Sequence, residues 1–372
     1  MSKHGRILVA MSGGIDSSLA AVMLHEEGYE VIGMTMKTWD YAGSGGTKKE
    51  TGCCSLDSIN DARNIAVQLG FPHYILDIRA EFGDYVIDHF TGEYLEGRTP
   101  NPCVLCNTHI KWDALLRRAD RLDCQSIATG HYANIREMNE GTPDSRHVLS
   151  KGIDAWKDQS YVLWGVSQES LARTKLPLGY LHKSEIREMA KERGFMDLVN
   201  KSESYEICFV PDNDYRGFLK RRMPGLEAEV AGGNFVTQEG KVLGQHEGYP
   251  FYTVGQRKGL GIALGRPVFV TEIRKDSNEV VLGDLPDLYR DGMYVSKLNL
   301  QKYPSLDQPL ETVTKVRYKH EGTPATVVQE APDRIRVDFH DGVNGIAPGQ
   351  AAVFYEGDDV VGGGWITKSF KQ

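Results

Sequence analysis

The sequence predicts an α/β protein: a doubly wound parallel sheet in an N-terminal domain, a small linking domain, and a C-terminal β-barrel. Three observations carry that expectation. Short apolar strand-like runs alternate with helix-length amphipathic runs up to about residue 210, the pattern of a parallel sheet covered by helices on both faces. A glycine-rich string, Ser12–Ser18, stands between the first strand-like run and the first helix-like one. From Asp212 the texture changes to short β-leaning runs separated by turn dipeptides, as in small barrels.

In order, Arg6–Met11 reads as a strand and Ser17–Glu27 as a helix stopped at Gly28. Glu30–Met36 is the next strand. Asp57–Leu69 is a helix stopped at Gly70, and His73–Asp77 is a third strand. Arg79–Glu96 and Cys106–Arg121 read as helices, and Ser126–Gly130 as a strand running into a loop. Further on, Val268–Ile273, Val280–Leu282, Ala325–Gln329, Ile335–Phe339 and Ala351–Tyr355 read as strands. Asp341-Gly342, Asn344-Gly345 and Gly357-Asp358 read as turns. Ala42–Thr51, rich in glycine, reads as a mobile loop.

A chain of 372 residues exceeds the usual single-domain size. The texture divides it into residues 1–212, 213–280 and 281–372. No run approaches the roughly 18 apolar residues of a membrane span, and Ile7–Ala10 is too short for a signal-peptide core, so a cytoplasmic protein is expected. Six cysteines are too sparse for a disulfide scaffold and point to thiol or metal chemistry. A net charge of −8 argues against nucleic-acid binding only as a whole-chain average, since binding needs a local basic surface.

The string Ser12-Gly13-Gly14-Ile15-Asp16-Ser17-Ser18 combines glycines that let backbone N–H groups approach an anion with the positive end of a helix. Ser12, Ser17 and Ser18 offer hydroxyls to phosphate oxygens, and Asp16 offers a carboxylate to magnesium. The lysine of a Walker A loop is missing. Asn101-Pro102-Cys103-Val104-Leu105-Cys106-Asn107 precedes a helix, where Pro102 suits the first turn and a thiol pKa is expected to fall. Cys208 lies far away, in Tyr205-Glu206-Ile207-Cys208-Phe209. Two thiols on distant segments suit a sulfur relay in which one carries a persulfide and the other resolves the linkage by thiol–disulfide exchange. Cys208 as a buried small hydrophobe and Cys103/Cys106 as half of a zinc site are the plainer alternatives. Cys53-Cys54 is a poor source of further ligands, because neighbouring side chains diverge, and Cys124 reads as a core residue.

The Ser12–Ser18 string resembles the pyrophosphate loop of the PP-loop ATP pyrophosphatases, whose adenine nucleotide α-hydrolase-like members adenylate a carbonyl oxygen and displace AMP with a nucleophile. Thr99-Pro100-Asn101-Pro102, Cys106-Asn107, Ala128–Tyr132, Lys157–Tyr161, Ile207-Cys208-Phe209, Gly255–Gly259 and Gly362–Trp365 resemble, in order and over nearly the whole chain, the bacterial tRNA 2-thiouridylase family. That resemblance implies a tRNA-uridine sulfurtransferase that adenylates the C2 carbonyl of wobble uridine 34 in tRNAs for lysine, glutamate and glutamine. It implies Cys106 as nucleophile and Cys208 as persulfide carrier. ATP would lie against Ala10, Met11, Ser12, Gly13, Gly14, Ile15, Asp16, Ser17, Met36 and Gly130. Asn101, Pro102 and Cys103 would meet the target base, and Lys157, Asp158, Gln159, Arg317 and Tyr318 the tRNA.

The implied cofactors are ATP and Mg2+. The implied partners are the tRNA anticodon stem-loop and a sulfur donor or persulfide carrier, with no membrane and a monomer or weak homo-oligomer. Cys103 departs from the family pattern, which has aspartate there. With Cys106 and Cys208 it makes a three-thiol set resembling the [4Fe–4S] sites of related thiolases, so a bound cluster is an alternative to the persulfide. Tyr205-Glu206 is a second departure. The basic groups Lys111, Arg117, Arg118, Arg121, Lys220-Arg221-Arg222, Arg257-Lys258 and Arg317-Lys319 suit an RNA path or a solvated face. His131 suits a phosphate or a loop hydrogen bond, and Asp154 and Asp158 likewise suit a role at the site or a solvated loop. Two other functions remain: an ATP-dependent amidotransferase with the same loop, which would release pyrophosphate without tRNA, and a non-catalytic tRNA binder, which would release none.

Overall fold

Ile7, Leu8 and Val9 have no exposed surface, as a central parallel strand flanked on both faces requires. In the computed structural model, which describes residues 2–39, 55–201, 207–210 and 212–371, these residues form β1 (Arg6–Ala10). The other strands of its sheet are β2 (Glu30–Lys37), β3 (His73–Asp77) and β4 (Ser126–Ala128). After an antiparallel hairpin of β5 (Ala133–Met138) and β6 (Arg146–Lys151) comes β7 (Thr174–Lys175). The sheet is wholly parallel, in the order β3-β2-β1-β4-β7. The order reverses between β1 and β4, the switch point at which such sheets bind ligands beyond their carboxyl ends.

This sheet belongs to a unit comprising Met1–Val86, Cys103–Asp214 and Asp358–Val360. Its helices follow local rules. α1 (Ile15–Glu27) buries Ile15, Leu19, Ala20, Val22 and Leu24 and ends where Gly28, at φ 101°, turns left-handed. α2 (Leu56–Leu69) starts at Ser55, whose Oγ accepts from the Ser58 N–H. The helix Lys183–Glu192 adds Ile186 and Ala190 to the core formed by β1, α1 and α2.

Two predicted helices are interrupted. Arg79–Glu96 divides into Arg79–Phe82, a π-helical turn Gly83–Ile87, and Asp88–Leu95. Cys106–Arg121 begins earlier, at Pro102, and contains a π-helical segment Cys106–Lys111 ahead of Trp112–Arg121. The Thr108 hydroxyl donates to the Val104 carbonyl at 2.9 Å inside this stretch, the kind of side-chain bond that bends a helix. π segments are rare and concentrate at functional sites. The expected mobile loop Ala42–Thr51, Cys53, Cys54 and Tyr205-Glu206 lie outside the described residues.

The second unit comprises Ile87–Pro102, Tyr215–Gly357 and Val361–Gln372. It holds a mixed sheet of β8 (Gly233–Val236), β9 (Val242–His246), β10 (Phe269–Arg274) and β11 (Glu279–Gly283) in the order β10-β11-β8-β9, with β11 and β8 parallel. Six strands follow: β12 (Tyr289–Leu300), β13 (Leu310–Lys315), β14 (Thr323–Ala331), β15 (Arg334–Asn344), β16 (Ala351–Glu356) and β17 (Asp359–Phe370). They run β12-β15-β14-β13-β16-β17, and β17 pairs back onto β12. The sheet is thus a closed barrel without free edges. Alternate residues such as Ala325 and Val327, or Ile335 and Val337, fill its interior.

The expected turn at Asp341-Gly342 falls inside β15. Arg290 pairs with Val343 but Gly292 with Asp338, so the extra residues bulge out and the strand continues to Asn344. Gly357-Asp358 does join β16 to β17.

Candidate active site

The segment leaving β1 is first pinned to β2. The Met11 N–H donates to the Met34 carbonyl at 2.8 Å, and the Thr35 hydroxyl donates to the Met11 carbonyl at 2.8 Å. Gly13 then turns at φ 70°, and a Cβ there would lie 1.9 Å from the Ser58 carbonyl oxygen. Only glycine allows this approach. The Ser12 N–H donates to the Ser17 Oγ at 2.9 Å, and the two hydroxyls lie 3.1 Å apart. The loop therefore wraps the start of α1, whose first N–H groups have no intrahelical partner and favour an anion. Ser18 does not act as expected: it is wholly buried, and its hydroxyl has no hydrogen-bond partner among the described residues.

The loop after β4 closes on the same helix end. A Cβ on Gly130 would lie 2.6 Å from the Ser17 nitrogen and 2.7 Å from the Asp16 carbonyl carbon. Two residues on, buried Tyr132 donates its hydroxyl to Asp16 Oδ1 at 2.6 Å. Asp16 also accepts the Lys183 ammonium on both oxygens, at 2.6 and 2.8 Å. Lys183 is 6% exposed and opens its helix. The carboxylate assigned to magnesium is therefore already held by an internal cation. A second lysine, Lys201, donates to the Gly13 carbonyl at 3.1 Å, to Ser58 Oγ at 3.1 Å and to Asp61 Oδ2 at 2.7 Å. Sequence reasoning missed both lysines, which lie 167 and 188 residues from their loop partners in no recognisable motif. Met36 lies in β2, opposite Leu76 of β3.

His131 lies between these elements. Its Nδ1 lies 2.7 Å from Thr129 Oγ1, and its ring packs 5.6 Å from Trp112. Burial, with the Lys111 charge as a smaller contribution, pushes its pKa down to about 3. The ring is neutral at physiological pH and satisfies a loop hydrogen bond. It carries no charge for a phosphate.

Cys103, Cys106, Cys124 and Cys208 are in no disulfide bond. Cys106 is buried and opens the π segment, and the next residue, Asn107, donates to the Val162 carbonyl at 3.0 Å. Cys208 is exposed, while its neighbour Phe209 is buried against Trp39 and Phe82. Trp39 follows β2 and Phe82 follows β3, so this contact anchors Cys208 at the carboxyl edge of the sheet. Cys103 reaches solvent, yet the protein packed around it raises its thiol pKa against the opposing charge of Lys111. The expected lowering is reversed: its helical turn, Pro102–Leu105, is too short to offset desolvation. Among the described residues no three metal-ligating side chains come together. Cys103, Cys106 and Cys208 thus do not form the ligand set of an iron–sulfur cluster in this structure.

The acids near Lys157 are not solvated. Asp158 is buried and accepts from Gly152 N–H, Ser160 N–H and the Ser160 hydroxyl at 3.0–3.1 Å. Asp154 accepts the Lys183 N–H at 2.9 Å and the Trp156 N–H at 3.1 Å. Gln159 Oε1 accepts from the Tyr132 N–H at 3.0 Å. Asp158 and Gln159 therefore build the loop that presents Lys157 and Trp156, the latter 95% exposed.

In the second unit, Gln350 donates to the Thr99 and Pro100 carbonyls and so holds the stretch before buried Asn101 and Pro102. Arg317 donates to the Asn344 carbonyl at 3.1 Å, and Tyr318 is 40% exposed. Lys220 pairs with Glu227 and Arg222 with Asp88. Arg257, Arg266 and the glycine-rich turn between them line a cleft of about 420 Å³.

A parallel sheet with a glycine loop at its switch point, closing on a helix N-terminus, defines a nucleotide-binding α/β domain of the pyrophosphate-loop class. Residues 5–212 match the family described as tRNA methyl transferase HUP domain. Residues 216–284 match its PRC-barrel domain, and residues 290–366 the aminomethyltransferase β-barrel domain. The chain is 72% identical over 373 residues to the tRNA-specific 2-thiouridylase MnmA of Cytophaga hutchinsonii, covering 100% of both chains. It is 70% identical to that of Amoebophilus asiaticus, over 100% of this chain and 97% of the relative. It is 56% identical to that of Salinibacter ruber, over 98% and 95%. The chain belongs to the tRNA-specific 2-thiouridylase MnmA family.

Proposed function

We propose that this protein replaces the C2 oxygen of the wobble uridine, position 34, in tRNAs for lysine, glutamate and glutamine with sulfur. The observation that carries the reading is the joint presence, in one α/β unit, of a pyrophosphate loop at the β1–β4 switch point and two cysteines outside any disulfide, Cys106 and Cys208, on separate segments. An amidating enzyme needs the loop but not the thiols, and a passive binder needs neither.

The uridine O2 attacks the α-phosphorus of ATP, the bond to the β-phosphate breaks, pyrophosphate leaves, and N3 gives up its proton. Backbone N–H groups of Gly13–Asp16 stabilise the phosphate charge, and magnesium carried by the nucleotide would add to that stabilisation. The terminal sulfur of a Cys208 persulfide attacks C2, the C2–O bond breaks and AMP departs. Cys106 thiolate attacks Cys208 Sγ, the sulfur–sulfur bond to the base breaks, and N3 recovers a proton as the thiocarbonyl is released. The resulting Cys106–Cys208 disulfide is reopened by a thiol reductant, and a persulfide-bearing donor protein reloads Cys208. The exposure of Cys208 supports that exchange, and cysteines outside disulfides suit the reducing cytoplasm. The base reaches the site by leaving the anticodon stack, with Lys157, Arg317 and Tyr318 on the RNA backbone.

The test supplies purified protein with ATP, magnesium, tRNA for lysine and a persulfide donor, and measures 2-thiouridine and pyrophosphate. Wild type and Cys103→Asp form both products. Cys106→Ser and Cys208→Ser bind ATP but form no 2-thiouridine. Wild-type thiolation by Cys208→Ser would remove the relay, and tRNA-independent pyrophosphate release with ammonia would favour amidation.

A further inference from the structure

The loop that receives a triphosphate carries a carboxylate on its own helix end. Asp16 lies in the first turn of α1, with a Cβ on Gly130 falling 2.7 Å from its carbonyl carbon. Left unpaired, this carboxylate would repel the anion that the loop N–H groups attract. It is not unpaired. Lys183 grips both carboxylate oxygens at 2.6 and 2.8 Å, and Tyr132 donates to Oδ1 at 2.6 Å. Lys183 Nζ stands 6.0 Å from the centroid of the Tyr132 ring. The lysine side chain is 8% exposed against 34% for Asp16, so the cation is the buried partner and the carboxylate the half-exposed one. The backbone of Lys183 is itself fixed, its N–H donating to Asp154 Oδ2 at 2.9 Å.

We propose that Lys183 is a positioning residue for the nucleotide: it cancels the Asp16 charge, orients that carboxylate within the loop, and thereby lets the Gly13–Ser17 loop accept a polyphosphate. It brings from a distant helix a cation to a loop that has no Walker lysine of its own. This inference rests on the loop being the ATP site. The geometry favours charge cancellation over direct phosphate contact, because both Asp16 oxygens are engaged by this one ammonium. Lys201 has a parallel place on the other side of the loop, linking the Gly13 carbonyl to Asp61.

The test is ATP binding by calorimetry on the full-length protein in EDTA, so that magnesium carried by the nucleotide does not enter, with circular dichroism confirming the fold of each variant. Wild type must bind ATP; if it does not, the assignment of the loop fails, and that failure is separate from any failure of Lys183. Lys183→Met is expected to weaken ATP binding by about tenfold or more, as an uncompensated charge is left at the site. Asp16→Asn/Lys183→Met is expected to recover most of that loss, since the repelling charge is gone. Lys183→Arg, retaining the cation, is expected to stay within a few-fold of wild type. Wild-type affinity in Lys183→Met overturns the proposal, as does a double variant no better than Lys183→Met. If Lys183→Met does not fold, the comparison of Asp16→Asn/Lys183→Met with Asp16→Asn decides: equal affinities uphold charge cancellation, and a weaker double variant overturns it.

Discussion

Gly130→Ala is the sharpest steric test of the nucleotide site. Gly130 does not have a left-handed φ, so alanine adds only a methyl group and no backbone strain. That methyl carbon would lie 2.6 Å from the Ser17 nitrogen, 2.7 Å from the Asp16 carbonyl carbon and 2.8 Å from the Ser17 Cα. All three are backbone atoms of the first turn of α1, without a rotamer by which to escape. Restoring ordinary contact needs a retreat of about 0.8 Å, and overpacking of this kind costs about 1–3 kcal/mol. A shift near 1 Å in a reacting group can lower a rate by roughly 10²-fold. The expected result is a folded protein whose ATP affinity falls about tenfold or more and whose tRNA-dependent pyrophosphate release falls about 100-fold. Gly92→Ala is the control: it lies in the helix Asp88–Leu95 with nothing within 4 Å of a new Cβ, and alanine there is neutral or slightly stabilising. Wild-type nucleotide affinity in Gly130→Ala would refute the idea that the loops after β1 and β4 form one phosphate site.

The remaining predictions concern acid stability and the anchoring of Cys208. His131 has a folded pKa near 3 against an ordinary value of 6.5, so between these values the unfolded chain binds the additional proton. Its contribution is therefore complete above about pH 6.5 and is lost as the pH falls toward 3; thermal unfolding of His131→Asn should show a shallower acid decline than wild type, and parallel curves would contradict this. Phe209→Ala empties a buried aromatic site against Trp39 and Phe82, a change worth about 3–5 kcal/mol in packed cores. It should lower Tm and reduce 2-thiouridine formation while ATP affinity persists; unchanged thiolation would show that this contact does not position Cys208.

What the sequence determined by itself was local. The apolar run Arg6–Met11 marked a strand, Gly28 and Gly70 marked helix ends, and the glycines of Ser12–Ser18 marked the loop between the first strand and the first helix, because each depends on neighbouring residues and short-range sterics. Tertiary structure decided which side chains meet. Asp16 carries no sign of its partner Lys183, since strand order and the packing of the helix Lys183–Glu192 bring them together across 167 residues. Asp158 suited a solvated loop equally well until three donors enclosed it. Helical position suggested a lowered pKa at Cys103, and desolvation reversed it. The closure of β17 onto β12 was likewise invisible in any one strand. The physical reason is common to all four. Backbone conformation follows from short-range forces, whereas charge pairing, desolvation and sheet closure depend on distances that exist only once the chain has packed.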